Sequence, residues 1–278
     1  MEGSINLTAI VTEASCIYTL PKAPWLNWIE QPPPKGQVAG SNPAGVASNL
    51  IVKSTFIILS LRAKIGYKIV ERILRVSPNF LLEKDLIHSG YSIIAGVDEV
   101  GRGPLAGPVT AAAVILDPLN IPDNLNDSKL LSLKKREKIY EELMYSSTFA
   151  IAHVSPEEID KLNILQASLL AMVNAVSKLN VTPNHVLIDG NKIPEQLGGM
   201  ATAIVKGDSK VASIAAASII AKVTRDRLMR DLDSDFPVYE WAKNSGYPTK
   251  CHMNAILKYG ITPHHRRSFR PIHNILCG

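Results

Sequence analysis

Residues 92–116, Ser-Ile-Ile-Ala-Gly-Val-Asp-Glu-Val-Gly-Arg-Gly-Pro-Leu-Ala-Gly-Pro-Val-Thr-Ala-Ala-Ala-Val-Ile-Leu, decide the fold. Apolar runs over 92–97 and 109–116 flank a Gly/Pro-rich stretch over 101–108, which predicts two strands joined by a loop. The first run ends in Asp98-Glu99. Acids there are costly: an uncompensated buried carboxylate loses several kcal/mol, so a cation or a basic partner must neutralise it. An exposed acidic turn would explain the dipeptide taken alone.

Working outward, residues 133–144 read as a charged helix and 149–154 as a short strand. Ser155-Pro156-Glu157-Glu158 combines an N-cap serine, proline at the first helical position and a capping-box glutamate, so a helix is expected to run to about residue 179. Two short apolar strands follow, 186–188 leading to Asp189-Gly190 and 203–205 leading to Lys206-Gly207-Asp208. The Ala-rich stretch 211–232 lacks Pro and Gly and should be the longest helix, with Asp208 or Ser209 as its cap and Pro237 as its stop. A helix over 250–259 closed by Gly260 precedes a basic tail. Strands alternating with helices predict an α/β protein, a sheet flanked by helices.

With 278 residues, 46% hydrophobic and 20% charged, the chain has ordinary globular composition and enough length to bury a core. Its three cysteines, Cys16, Cys251 and Cys277, are far apart and lack zinc-site spacing, which favours a reducing, cytoplasmic setting. The apolar run 55–61 is far shorter than the roughly 20 residues that span a bilayer, so no membrane association is expected. Residues 1–78 hold 8 Lys and Arg against 4 Asp and Glu, show no sustained period before Ile51 and contain Pro32-Pro33-Pro34. Back-translation of Gly40-Ser41-Asn42-Pro43 permits a run resembling the T-arm of a transfer RNA gene. The segment therefore reads as an unrelated N-terminal extension, disordered or not genuine coding sequence, ahead of a domain over 79–278.

That domain holds 22 basic residues against 21 acidic ones, but everything after Glu240 carries six Lys and Arg, four His and no acid. Such a skew is a polyanion footprint, although a solvated basic tail would look the same. Asp189 and Asp208 follow apolar strands as Asp98 and Glu99 do, and clefts in α/β sheets favour strand ends. Four carboxylates converging at one edge would repel strongly, and an oxygen-only ligand set suits Mg²⁺ or Mn²⁺ better than zinc. Hard cations beside a basic surface match assisted phosphodiester cleavage of a nucleic acid. Asp208 could equally be a helix cap, and Asp189 could simply begin the turn at Gly190.

The stretch Gly-Val-Asp-Glu-Val-Gly-Arg-Gly-Pro-Leu-Ala-Gly-Pro-Val over 96–109 resembles the signature of the ribonuclease HII family. In the same order, Asp127-Ser128-Lys129, 187–191, 206–209, 215–226, Gly246-Tyr247-Pro248-Thr249 and 264–269 resemble the family's other blocks. The resemblance covers about residues 79–273. It implies a ribonuclease-H-like mixed sheet of about five strands, flanked by helices and followed by a helical C-terminal part. It implies that Asp98, Glu99, Asp189 and Asp208 are the catalytic carboxylates holding two Mg²⁺ or Mn²⁺ ions, with Asp226 outside the site. It also implies that Gly101, Arg102 and Gly103 read a ribose 2′-hydroxyl and that the Tyr247 ring packs on the following deoxyribose. Lys129, Lys222, Arg225 and Arg266 are expected on backbone phosphates.

The expected activity is hydrolysis of the RNA strand of RNA·DNA hybrids, and incision 5′ to single ribonucleotides in duplex DNA, by a monomer. Two rivals remain: a metal-dependent DNA nuclease or resolvase of related fold, and a hybrid-binding protein without chemistry. Intact acids argue against the second.

Overall fold

The computed structural model describes residues 77–277. The expectations for residues 1–76 lie outside the described residues. Helix α1 (Leu81–His88) precedes strands β1 (Ile94–Val100) and β2 (Val109–Leu116). Helix α2 (Leu133–Ser146) leads to β3 (Ser147–Val154), and α3 (Pro156–Leu162) with α4 (Ile164–Ser177) to β4 (His185–Asp189) and β5 (Ala201–Ile204). The long α5 (Ala212–Asp235), the single turn α6 (Trp241–Asn244), α7 (Lys250–Tyr259) and α8 (Arg270–Cys277) complete the chain.

The five strands form one mixed sheet in the order β3-β2-β1-β4-β5. Strand β1 is antiparallel to β2, and β2 to β3, whereas β1–β4 and β4–β5 are parallel. Strand alternation sorts the apolar side chains between two layers. Val97, Ala111, Ala113 and Ile188 pack with Ile159, Ala171 and Met172 of α3 and α4. Ala112 and Val114 pack on the other side with Ala215, Ala216 and Ile219 of α5 and Leu143 of α2. A further cluster gathers Leu105, Met229, Tyr239, Trp241, Ile256 and Ile272 around the C-terminal helices.

The small residues of α5 let its backbone lie directly on β1. A Cβ on Gly96 would meet the Ser213 carbonyl carbon at 2.2 Å, so only glycine fits there. The expected cap of α5 differs. Its N-cap is Val211, with no side-chain cap, while Asp208 lies in the preceding 3₁₀ turn Gly207–Ser209. Glu83 of α1 does the work instead: its buried carboxylate accepts the Ser213 amide at 2.9 Å, where the helix dipole favours a negative group.

The expected helix from residue 156 to about 179 is two helices, because Asn163 adopts φ 71° and restarts the chain by accepting the Leu165 and Gln166 amides. The Ser155–Glu158 capping box is present, and Gly260 closes α7 as expected.

Candidate active site

Register brings the acids together. Val97 pairs with Ile188 across the parallel β1–β4 ladder, so Asp98 and Asp189 come next on neighbouring strands. Asp189 also pairs with Ile204 at the end of β5, and its Oδ1 accepts the Gly207 amide at 2.6 Å. That bond fixes the turn carrying Asp208 beside Asp189. Asp98 is buried and its Oδ1 accepts the Glu99 amide at 2.7 Å. Asp208 is buried too.

The electrostatics report one shared neighbourhood. Burial first, then the charges of Glu99, Asp189 and Asp208, hold the Asp98 carboxyl well above the usual range. Burial also raises Glu99, against the opposing pull of Arg102, whose Nη1 donates to Glu99 Oε1 at 3.1 Å. Asp208 is raised by burial and by Asp127 and Asp189. Lys129 balances part of this charge: desolvation works against its ammonium, yet Asp127, Asp98, Asp208 and Asp189 together hold it above the ordinary lysine value.

Among the described residues, no three acids, histidines or cysteines close into a ready-made coordination shell. Alternation along β1 offsets Glu99 from Asp98, and mutual repulsion opposes closer approach. The residues nevertheless fit a divalent cation. The donors are all oxygens, the acids are under-compensated, and Glu99 Oε2 is a buried atom without a hydrogen-bond partner. Asp98, Glu99, Asp189 and Asp208 are the groups that could hold it.

Next to the acids runs the 101–108 loop. Gly101 has φ +92°, and a Cβ there would meet Arg225 Nε at 2.3 Å. Arg102 and Gly103 are exposed. A Cβ on Gly103 would lie 3.1 Å from Tyr247 Cε1, so the half-exposed Tyr247 ring borders the loop. Lys129 is exposed on the turn that its own amide closes onto Asp127 Oδ1.

Two basic expectations need correction. Arg225 and Arg266 are 1% and 0% exposed, and their guanidiniums donate to backbone carbonyls rather than facing solvent. Lys222 is half-way to the same fate: its ammonium is tied to Asp226 Oδ1 at 2.7 Å. Asp226 lies on α5, bound to Lys222 and Arg136, outside the acidic edge. Asp127 is the residue that sequence reasoning passed over. It stood inside a quoted block, but only the folded proximity to Asp208 reveals its electrostatic part.

A mixed sheet with an antiparallel β3-β2-β1 half, acids at the ends of β1 and β4, and helices on both faces defines a hydrolase of the ribonuclease-H-like class. The sequence profile described as Ribonuclease HII matches residues 95–272. The ribonuclease HII of Ruegeria sp. (strain TM1040) is 56% identical over 199 residues, covering 72% of this chain and 87% of that protein. That of Paracoccus denitrificans is 55% identical over 200 residues, covering 72% and 95%. Among solved structures, ribonuclease H2 from Pyrococcus horikoshii OT3 superposes with a TM-score of 0.57 at 29% identity, over 66% of this chain and 97% of that one. RNase HII in the PCNA complex from Archaeoglobus fulgidus gives 0.53 at 28% identity, over 64% and 96%. The chain belongs to the ribonuclease HII family and is an endoribonuclease.

Proposed function

We propose that the protein hydrolyses the RNA strand of RNA·DNA hybrids and incises 5′ to single ribonucleotides embedded in duplex DNA, leaving 3′-hydroxyl and 5′-phosphate ends. The observation that carries this is the β1–β4 register and the Asp189–Gly207 hydrogen bond, which gather Asp98, Glu99, Asp189 and Asp208 from three separate chain segments, beside the Gly103–Tyr247 border. Two divalent cations, Mg²⁺ or Mn²⁺, would supply the positive charge that makes water a nucleophile near neutral pH and offsets charge on the departing 3′-oxygen. Asp98, Glu99, Asp189 and Asp208 would hold and orient those cations.

Backbone groups of Gly101, Arg102 and Gly103, the last two exposed residues, would approach the ribose 2′-hydroxyl, the group that separates RNA from DNA at a given sugar. The Tyr247 ring packs on the next sugar and disfavours a second hydroxyl. Together they select RNA followed by DNA. Lys129 meets a phosphate, which adds affinity that falls with salt and carries little base preference. The protein acts as a cytoplasmic monomer in removing misincorporated ribonucleotides and RNA primers.

Incubation with Mn²⁺ and duplex DNA carrying one ribonucleotide tests the reading. Incision 5′ to that ribonucleotide is expected. Cleavage of all-DNA junctions would favour a resolvase instead, and binding without cutting a non-catalytic hybrid-binding protein.

A further inference from the structure

Arg225 and Arg266 are buried cations, and among the described residues no carboxylate bonds to either guanidinium, which is expensive unless other acceptors are supplied. Backbone carbonyls supply the compensation. Arg266 Nε donates to Gly107 O at 2.9 Å, Nη2 to Gly101 O at 2.6 Å and Gly107 O at 2.8 Å, and Nη1 to Arg102 O at 3.2 Å. All its acceptors lie in the 101–108 loop. Arg225 differs: Nε donates to Pro108 O at 2.9 Å and Nη2 to Ala106 O at 3.0 Å, while Nη1 donates to Ser245 O at 3.0 Å. One rigid guanidinium therefore spans two loops, the one bearing Gly101–Gly103 and the one bearing Tyr247. A second link, the Leu105 amide donating to Gly246 O at 2.7 Å, closes the same seam.

We infer that Arg225 is a positioning residue that sets the gap between Gly103 and the Tyr247 ring, and through it the preference for RNA–DNA junctions over uniform hybrid. The inference rests on the functional reading above. Its physical basis is the planar fork. Three of its N–H groups, fixed in one plane, hold carbonyls of two loops at a constant separation, whereas a lysine ammonium on a flexible stem has no such fork. Arg225 touches no substrate. It acts through the loops it joins.

The test is Arg225→Lys, assayed with Mn²⁺ on two substrates, duplex DNA carrying one ribonucleotide and a uniform RNA·DNA hybrid. A misplacement of 1 Å costs about 100-fold in rate, so a smaller slip of the loops should cut the junction preference by about tenfold, mainly in kcat. KM should change little, because the phosphate contact of Lys129 is untouched. A purely structural defect lowers the active fraction and slows both substrates equally. Equal slowing, or an unchanged preference in a folded variant, overturns the inference while leaving the functional reading intact. Wild-type protein that cuts neither substrate overturns the functional reading and this inference with it.

Should Arg225→Lys fail to fold, two measurements leave Arg225 in place. Gly103→Ala, whose methyl presses on Tyr247, should reduce the junction preference with both loops otherwise intact. Hydrogen exchange on wild-type protein should find the Leu105 amide and the Arg225 Nε–H strongly protected. An unaltered preference in Gly103→Ala, or free exchange at these two groups, overturns the inference.

Discussion

The acidic edge of Asp98, Glu99, Asp189 and Asp208 and the arginine pair behind the 101–108 loop both crowd like charges, but among the described residues partners compensate the arginines far more fully than the acids. Each guanidinium is met by backbone carbonyls, and folding alone completes that cluster. Among the described residues the acids have one exposed lysine and one arginine, a buried oxygen without a partner, and carboxyls pushed upward by burial and by one another. The contrast separates scaffold from site. A region finished by folding holds its shape; a region left with surplus charge is one that an outside cation completes.

Perturbing each cluster should have opposite effects on stability. Asp98→Asn is expected to lower cleavage by about 1,000-fold or more, beyond the loss that follows deletion of one preorganised donor. The same change relieves repulsion, so the cation-free melting temperature should rise by about 2–4 °C for each 1 kcal/mol relieved. Hybrid binding should persist or tighten, because one negative charge facing phosphate is gone. Calorimetry and a gel-shift assay check both.

On the arginine side, Gly101→Ala should destabilise by about 1–3 kcal/mol, since its methyl would overlap Arg225 Nε in a left-handed backbone conformation. Thermal or urea unfolding reads this directly. Unchanged stability would mean the clamp yields easily.

The acids and the buried His265, next in sequence to Arg266, should answer pH in opposite senses. The folded pKa values of Asp98, Glu99 and Asp208 lie above their ordinary values of 3.8, 4.5 and 3.8, so the folded state binds more protons and cation-free stability falls as pH rises through that window. His265 behaves conversely. Burial, with His252 nearby, lowers it from 6.5 to about 4, so the unfolded state protonates first and stability is lost as pH falls across that interval. Added Mg²⁺ should therefore raise the melting temperature at pH 8 far more than at pH 5. Equal gains would mean that the acids do not hold the ion.

The smallest effect is expected at the exposed cation beside the acids. Lys129→Ala should weaken hybrid binding evenly across base sequences and reduce the log–log salt slope by about one unit. An unchanged slope would remove Lys129 from the phosphate contacts.

Much of this was legible because it is local. The β1–loop–β2 punctuation, the Ser155–Glu158 capping box and the Gly260 stop each depend on residues a few positions apart, and each stands as expected. The acids were legible as a recurring event, a carboxylate at or just beyond an apolar strand, although Asp208 sits in a turn rather than on β5. What stayed hidden depends on partners far along the chain. Glu83 caps α5 from 130 residues away, and Arg266 meets carbonyls 159 to 165 residues earlier. An arginine in a basic tail reads as a phosphate ligand until the carbonyls that bury it are known. Asn163 was missed for another reason: helical patterning on both sides masks one residue in a left-handed conformation.

The most direct test of the account is titration of Mn²⁺ into wild-type protein and into Asp98→Asn at neutral pH, followed by calorimetry. Wild-type protein should bind the ion and the variant should lose that binding, while both remain folded by circular dichroism. Equal affinity in the two proteins would place the cation elsewhere and contradict the assignment of the acidic edge.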